Sequence, residues 1–226
     1  MTRLAVFTAV ELEATTLARL LGLARVPGAD WPHFRAGALE LVCVGLRARS
    51  LEPRAARLTP PALAISAGVC GALSPDLAEG ALVVPEAVLG PAGERYPTAE
   101  VRGLARLGTL ATVTDVVTTR AAKARLWMET AALACDMESA AILEWARAHG
   151  VPAAVVRGVS DTADRGVPED LAAVVEADGR VRTVRAVRAV LARPRAIADA
   201  MTLRSGTNAA LKAVARELGR LARDRA

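Results

Sequence analysis

The sequence predicts an α/β fold: one domain with a central twisted mixed β-sheet flanked by helices and a helical C-terminal tail. Three observations support this. Short apolar segments alternate with helical segments along the chain, which is typical of layered α/β proteins. The composition, with 53% hydrophobic and 23% charged residues, is that of a globular protein. Finally, 226 residues without an internal repeat or linker suit one large core. We therefore expect one domain over residues 1–226, ending in a basic helical extension over about residues 181–226.

The elements follow from local patterns. Apolar runs predict strands at Leu4–Thr8, Leu39–Val44, Leu63–Ser66, Ala81–Val84, Leu110–Val113, Ala132–Cys135 and Ala153–Val156. Helical spacing predicts helices at Glu11–Leu21, Ser50–Leu58, Arg120–Thr130 and Ser139–His149, and from about Val184 onward. Ser50 is a candidate N-cap, and Gly150 is a natural helix terminator. The Pro/Gly-rich segment Pro85–Gly103 is predicted to be a surface loop.

Several protein classes are disfavoured by composition. The cysteines Cys43, Cys70 and Cys135 are odd in number and far apart, and only two histidines accompany them, so we expect neither a disulfide framework nor a metal site. The N-terminus lacks the pattern of a signal peptide, and no apolar stretch is long enough to span a membrane. We expect a cytoplasmic protein.

Carboxylates cluster where three predicted strands end. Glu11 and Glu13 follow the first strand, Asp136 and Glu138 follow the sixth, and Asp161 follows the seventh. Each has a local explanation as a first-turn helix acid, a cap or a turn residue. Open α/β sheets nevertheless place ligand sites at strand ends, so these side chains are candidates for one shared pocket.

Separate carboxylates in one pocket suit the cleavage of a glycosidic bond. One environment raises a pKa so that its group donates a proton, while another keeps its group ionised. The N-glycosidic bond of a purine nucleoside has this need, because the base leaves once protonated while the sugar gains oxocarbenium character. Water or phosphate then attacks from the opposite face.

Two segments resemble the nucleoside phosphorylase/nucleosidase superfamily. Ala134–Ala141 (ACDMESAA) is similar to its MES/MEA signature, and Val156–Asp164 (VRGVSDTAD) is similar to its R-x-x-SD-x-AD segment, at matching spacing. Thr8–Glu13 resembles the strand-to-helix turn of methylthioadenosine/S-adenosylhomocysteine nucleosidases. Ala67–Leu73 resembles their Gly-rich loop. The resemblance covers about residues 1–165 and implies a phosphorylase/hydrolase-like fold.

The resemblance also implies residue roles. Asp161 would be the general acid at N7 of the purine, Glu13 would orient or activate water, and Glu138 would bind the ribose hydroxyls. The remaining implied contacts to the nucleoside are Met137 at the sugar, Ser160 beside Asp161, Val116 and Val117 at the base, and Gly68, Val69, Cys70 and Gly71 in the Gly-rich loop. No cofactor is implied beyond inorganic phosphate as a possible co-substrate, and family members form homo-oligomers.

The sequence leaves phosphorolysis and hydrolysis open. A phosphorylase must hold a phosphate dianion, normally with arginines and backbone N–H groups. Arg47, Arg49 and Arg157 are candidates, with Arg47 and Arg157 preferred. The arginine that the family's phosphorylases place before the Gly-rich loop is absent, because Ile65 and Ser66 occupy that region.

A narrower resemblance concerns hopanoid-associated nucleoside phosphorylases, a group proposed to remove adenine from a lipid-linked adenosine. The similar segments are Thr114–Thr119, Asp164–Pro168, Asp178-Gly179 and the tail from Leu191 to Pro194 onward. In the last predicted helix, Leu211, Val214, Leu218 and Leu221 share one face, and basic residues lie largely elsewhere. Such a helix either packs on its own domain or touches an anionic membrane.

Three other functions remain as alternatives. One is a non-catalytic nucleoside-binding protein on the same fold. Loss of the carboxylates would have supported it, but Glu13, Glu138 and Asp161 are all present. Another is nucleic-acid binding through the basic tail, disfavoured by the lack of interleaved aromatics, so we expect no nucleic-acid partner. The third is catalysis by Cys70, disfavoured because neither histidine lies in a comparable turn.

Overall fold

A computed structural model describes residues 3–166 and 196–224, with side-chain environments from residue 204 onward in the second range. The segments Val167-Pro168, Asp178-Gly179 and Leu191–Pro194, which carry part of the narrower resemblance, lie outside the described residues. So does much of the predicted basic extension.

The chain forms one mixed sheet. Its strands are β1 Leu4–Thr8, β2 Ala24–Arg25, β3 His33–Ala36, β4 Leu39–Cys43, β5 Leu63–Ala72, β6 Leu82–Val83, β7 Ala87–Leu89, β8 Arg95–Pro97, β9 Thr109–Thr112, β10 Ala134–Asp136 and β11 Ala153–Asp161. The helices are α1 Glu11–Leu21, α2 Leu51–Ala55, α3 Arg120–Thr130, α4 Ser139–Ala148 and α5 Ala196–Arg223, with a 3-10 turn at Leu46–Ala48.

Strand β5 organises the sheet. It pairs in parallel with β1 on one edge and with β11 on the other, and its last residues pair with β10 in antiparallel orientation. The main strand order is β2-β3-β4-β1-β5-β10-β9-β7-β8, while β11 joins β5 to β6. The ends of β1, β10 and β11 therefore meet along the second half of β5.

Helices cover both faces of the sheet. Alternate residues of β1 enter different cores, with Phe7 packing beside α2 and α4 residues and Val6 packing beside α1 and α5 residues. This alternation follows from the two-residue repeat of a strand. The predicted α/β fold with a mixed central sheet and a helical tail is confirmed.

Three local predictions need correction. The strands predicted at Leu63–Ser66 and Ala153–Val156 are longer than expected, because the residues that follow continue as paired strand to Ala72 in β5 and to Asp161 in β11. Pro85–Gly103 contains the hairpin β7–β8 rather than an irregular loop. Ser50 stands before α2 without donating or accepting a side-chain capping hydrogen bond, and α2 is shorter than expected. In each strand, pairing partners distant in the chain outweigh the local turn tendency of glycine.

The apolar face of α5 packs within the domain. Leu211, Val214 and Leu218 are fully buried, and Leu221 is nearly so. That face is covered by the sheet and by α1, and it is therefore not exposed to a membrane. Contact with anionic lipid through the basic residues of the helix stays a prediction. No helix in the described part of the chain combines the length and apolarity that crossing a membrane requires.

Candidate active site

A cavity of about 210 Å³ lies where these strand ends meet. Most of the predicted site residues line it, and these are Glu13, Val69, Cys70, Gly71, Val116, Val117, Met137, Glu138, Arg157, Ser160 and Asp161. Gly68 is not among the residues that line the cavity, and its backbone packs against the Glu13 carboxylate. The structure therefore brings together residues from five segments that are far apart in the chain.

Glu13 is buried at the start of α1. Its Oε2 accepts hydrogen bonds from the backbone N–H of Ala9 at 3.0 Å and of Val10 at 3.2 Å, and its Oε1 accepts one from Val69 at 2.8 Å. Burial raises its pKa, and the charge of Arg157 and the three N–H donors oppose that rise. Glu11, the other acid of this turn, is only half-buried and is not among the residues that line the cavity.

Gly68 makes room for Glu13. Its φ of 143° is a backbone conformation that favours glycine, and a Cβ there would lie 2.4 Å from Glu13 Oε1 and 2.8 Å from Arg157 Nη1. Val69, Cys70 and Gly71 follow on the same strand, and all three line the cavity. The Gly-rich segment thus acts as a strand that lets carboxylates approach its backbone.

Arg157 is the cation of a buried acidic cluster. It lies 2.8 Å from Asp136 Oδ2 and 3.6 Å from Glu138 Oε2, and it donates to Ser66 Oγ at 3.0 Å and to the Val69 carbonyl at 3.2 Å. Asp136 also accepts from the backbone N–H of Ser139, at the start of α4. Three carboxylates, including Glu13, therefore share one guanidinium.

Glu138 titrates unusually as a result. Its pKa is raised from the ordinary 4.5 to about 8, chiefly by burial and also by the charges of Asp136 and Glu13, against the opposing effects of Arg157 and a backbone hydrogen bond. That hydrogen bond runs from the Arg47 N–H to Glu138 Oε1 at 3.0 Å. At neutral pH, the Glu138 carboxyl is therefore largely protonated.

Asp161 ends β11 through a β-bulge. Val159 pairs with Cys70 and Asp161 pairs with Gly71, so Ser160 is the extra residue. The Ser160 hydroxyl lies 2.7 Å from Asp161 Oδ1, to which it donates. The other oxygen, Oδ2, forms an ion pair with the ammonium of Lys123, which is buried on α3.

Sequence reasoning missed Lys123. The residue sits in a helix without an apolar stripe, and nothing local marks its side chain as buried. The available signal was that the chain has two lysines, Lys123 and Lys212, among many arginines. A lysine retained where arginine is the common cation indicates a specific need for an ammonium group.

Arg47 takes a different place from the one expected for a phosphate ligand. Its guanidinium donates to the Thr114 carbonyl and to Asp115 Oδ1 at 2.9 Å, and only its backbone N–H reaches the cavity, through Glu138. Its φ of 53° lies in the left-handed region, a strained conformation for a residue other than glycine. Arg49 is exposed and is not among the residues lining the cavity.

Cys70 is poorly suited to nucleophilic catalysis. Its thiol is buried, donates toward the Gly158 carbonyl at 3.5 Å, and has a pKa raised well above the ordinary value by burial. The reactive form of cysteine is the thiolate, which this environment disfavours. Within residues 3–166 and 196–224, no group of three or more metal-ligating side chains lies together.

The sequence matches a family model across a segment that contributes most of the residues lining this cavity. Residues 98–193 match the model described as the phosphorylase superfamily, and they include Lys123, Asp136, Glu138, Arg157 and Asp161. This matched segment of the chain is similar to the phosphorylase superfamily. The resemblance predicted from the two signatures is thereby confirmed at the level of the superfamily. No curated protein sequence matches the chain significantly.

Several solved structures have a fold that is similar to this one over nearly the whole chain. The 5′-methylthioadenosine/S-adenosylhomocysteine nucleosidase of Helicobacter pylori has a TM-score of 0.72 at 16% identity, covering 99% of this chain and 98% of that chain. The futalosine hydrolase of Helicobacter pylori has a TM-score of 0.71 at 16% identity, covering 100% and 98%. The 5′-methylthioadenosine nucleosidase of Arabidopsis thaliana has a TM-score of 0.70 at 17% identity, covering 100% and 98%. At these identities, the likeness concerns the fold.

Proposed function

We propose that this protein hydrolyses the N-glycosidic bond of a 5′-substituted adenosine and releases adenine. The observation that carries the proposal is the presence of two separately held carboxylates, Glu13 and Asp161, on one small cavity. Glu13 contacts Val69, and Asp161 lies opposite Gly71. Two positions apart on a strand correspond to about 6 to 7 Å, which leaves room for a sugar carbon between the two carboxylates.

The proposed reaction assigns one carboxylate to each side of the bond. The C1′–N9 bond breaks, its electron pair goes to the purine, and N7 gains a proton at the Asp161 end. A water oxygen bonds to C1′ and loses its proton to Glu13. The raised pKa of Glu13 makes it a stronger base than an exposed glutamate, which suits this role.

The charge of the cavity favours water over phosphate. Near the nucleophile, Glu13, Asp136 and Glu138 face the single guanidinium of Arg157. Among the described residues, the cations that line the cavity are Lys123 and Arg157, and each already pairs with a carboxylate. A phosphate dianion there would meet the carboxylates of Glu13 and Asp136 without an unpaired cation, and that arrangement is costly in a buried site.

Glu138 is the proposed ribose ligand. Its carboxyl lies on the cavity between Arg47 N–H and Arg157, and Met137 beside it lines the same wall. Ribose hydroxyls donating to Glu138 favour its ionised form, so substrate binding and deprotonation of Glu138 are coupled. Val116 and Val117 line the wall proposed to contact the base. The 5′-substituent that the narrower resemblance implies is a lipid chain.

The test is adenine release from a panel of 5′-substituted adenosines, each assayed in phosphate buffer and in phosphate-free buffer. We expect equal rates in both buffers and incorporation of one oxygen from labelled water into the sugar. Release that requires phosphate would instead make the protein a phosphorylase, with Arg157 as the remaining candidate ligand.

Two variants test the assigned carboxylates. Asp161→Asn and Glu13→Gln are each expected to lower kcat by about 10²- to 10⁴-fold, the usual contribution of a general acid or base. Asp115→Asn, an exposed carboxylate that contacts Arg47 outside the cavity, is the control and should retain activity. Retention of a nucleoside without any turnover by the wild type would support the non-catalytic binding alternative.

A further inference from the structure

Helix α3 buries a single side chain, and that side chain is charged. Lys123 is 1% exposed, while its neighbours include Met128 at 84% and Trp127 at 37%. Lysine is almost never fully buried without a partner, and burying it while apolar side chains stay exposed sacrifices hydrophobic stabilisation. Packing alone therefore does not explain the orientation of this helix.

The contacts of Lys123 all lie at the proposed base end of the cavity. Its Nζ forms an ion pair with Asp161 Oδ2 and donates to the Thr162 carbonyl at 2.7 Å. Lys123 also lines the cavity itself. The Ser160 hydroxyl donates to Asp161 Oδ1, so both oxygens of the carboxylate accept hydrogen bonds.

These partners create a difficulty for a simple general acid. Both oxygens of Asp161 accept hydrogen bonds, one from an ammonium and one from a hydroxyl, so neither oxygen presents a proton of its own to the base. The proton nearest to the base end is then on Lys123 Nζ. The pair Lys123–Asp161 carries one proton more than the carboxylate alone, and this proton is within one hydrogen bond of Asp161 Oδ2.

We propose that Lys123 is a positioning residue that holds Asp161 against the purine and stores the proton that Asp161 delivers. As the C1′–N9 bond lengthens, Lys123 Nζ passes a proton to Asp161 Oδ2, and Asp161 passes that proton on to N7. The base leaves protonated, Asp161 is again a carboxylate, and Lys123 is a neutral amine. The amine regains a proton from solvent, and the proton that water gave to Glu13 returns to solvent. This inference rests on the proposed function.

The test compares two leaving groups in three variants. The substrates are the best adenosine from the panel and the 4-nitrophenyl β-riboside with the same 5′-group, whose phenolate leaves without a proton. Lys123→Met should lower kcat/KM for the adenosine by about 10²- to 10⁴-fold, but for the nitrophenyl riboside by no more than about threefold. Lys123→Arg should recover part of the lost adenosine activity. Lys212→Met removes the exposed lysine of α5 as the matched control and should change neither substrate.

A pH profile adds a readout that a structural role would not change. In Lys123→Met, Asp161 must take its proton from solvent, so the remaining adenosine activity should rise as pH falls. Thermal unfolding of each variant checks folding. If Lys123→Met does not fold because Asp161 is left buried and unpaired, the double variant Lys123→Met/Asp161→Asn has a neutral pair in its place. That double variant should then cleave the nitrophenyl riboside and not the adenosine.

The possible failures are distinguishable. Equal losses for both substrates, or unchanged adenosine kcat/KM in folded Lys123→Met, would overturn the role of Lys123 and leave the proposed hydrolysis intact. A wild-type protein that cleaves neither substrate would overturn the proposed function and this inference together.

Discussion

The buried charges of the cavity divide into two groups at the scale of single residues. At one end, three carboxylates share Arg157, and at the other, Asp161 has Lys123 to itself. The shared guanidinium leaves Glu138 with a pKa of about 8, whereas Asp161 has a full counter-charge. Similar side chains thus stand in different electrostatic environments because their neighbours differ.

Glu138 should make the protein less stable as pH rises. Its folded pKa of about 8 lies above the ordinary 4.5, so between these values the folded state holds a proton that the unfolded state has lost. The free energy of unfolding therefore falls as pH rises through that window. Glu138→Gln should flatten this fall and, at pH 8, raise the free energy of unfolding by on the order of 1 to 3 kcal/mol.

Denaturant unfolding at pH 5 to 8 measures this effect. Glu144→Gln, which changes an exposed acid on α4, the helix that follows Glu138, is the control and should leave the slope unchanged. An equal slope in wild type and Glu138→Gln would mean that Glu138 is ionised in the folded state. The same variant should bind nucleoside more weakly, because it lacks the carboxylate proposed to accept the ribose hydroxyls.

Gly68 should be irreplaceable for activity. In Gly68→Ala, the new methyl group would displace Glu13 Oε1, 2.4 Å away, and a shift of about 1 Å at a catalytic group costs about 10²-fold in rate. Gly93→Ala is the control, since its φ of 90° is also left-handed but no atom lies within 4 Å of the added carbon. Steady-state adenine release from both variants decides the matter, and similar rates would contradict the close approach.

At the scale of elements, helix α5 contacts the strand that carries Asp161. Gly206 of α5 lies so close to β11 that an added Cβ would be 2.1 Å from the Ser160 carbonyl oxygen. Gly158 on β11 is equally close to α5, because a Cβ added there would lie 2.6 Å from the Ala210 carbonyl oxygen. The position of the bulge at Ser160 therefore depends on how α5 packs.

Two glycines of α5 should respond oppositely to alanine. Gly206→Ala is expected to destabilise the protein by about 2 to 3 kcal/mol through overpacking, and to lower activity by displacing Ser160. Gly219→Ala has its nearest neighbour at an ordinary 3.5 Å, so the better helix propensity of alanine should stabilise the protein by about 0.5 to 1 kcal/mol. Thermal unfolding of the two variants tests this, and a shared sign would show that the α5–β11 contact is looser than described.

At the scale of the whole molecule, α5 belongs to the core. Leu218→Ala should cost about 2 to 5 kcal/mol, because its side chain is fully buried between the sheet and α1. Arg216→Ala, on the exposed side of the same helix, should stay within about 0.5 kcal/mol. Denaturant midpoints measure both, and a small loss at Leu218 would indicate that the apolar face packs weakly and is available to another partner.

Local patterns were sufficient to predict much of the fold. The apolar run of β1, the bounds of α1 and of α3, and the strand-end carboxylates Glu13, Glu138 and Asp161 were all readable from the sequence. Strand and helix periodicities depend on neighbours within a few residues, and a resemblance needs only the order of residues. The missed hairpin β7–β8 and the continuation of β5 through its glycines depend on pairing with distant strands, which no local pattern reveals.

The sequence by itself determined an α/β architecture, a resemblance to one superfamily and a set of acidic residues suited to glycosidic chemistry. Only the tertiary structure decided which acids share a cation and which have their own. Lys123 and Asp161 are 38 positions apart, too far for any local motif to contain both. Their pairing exists only because α3 packs beside the end of β11. The energy of a buried charge depends on the atoms around it in space, so the protonation states that control the proposed reaction arise with the fold.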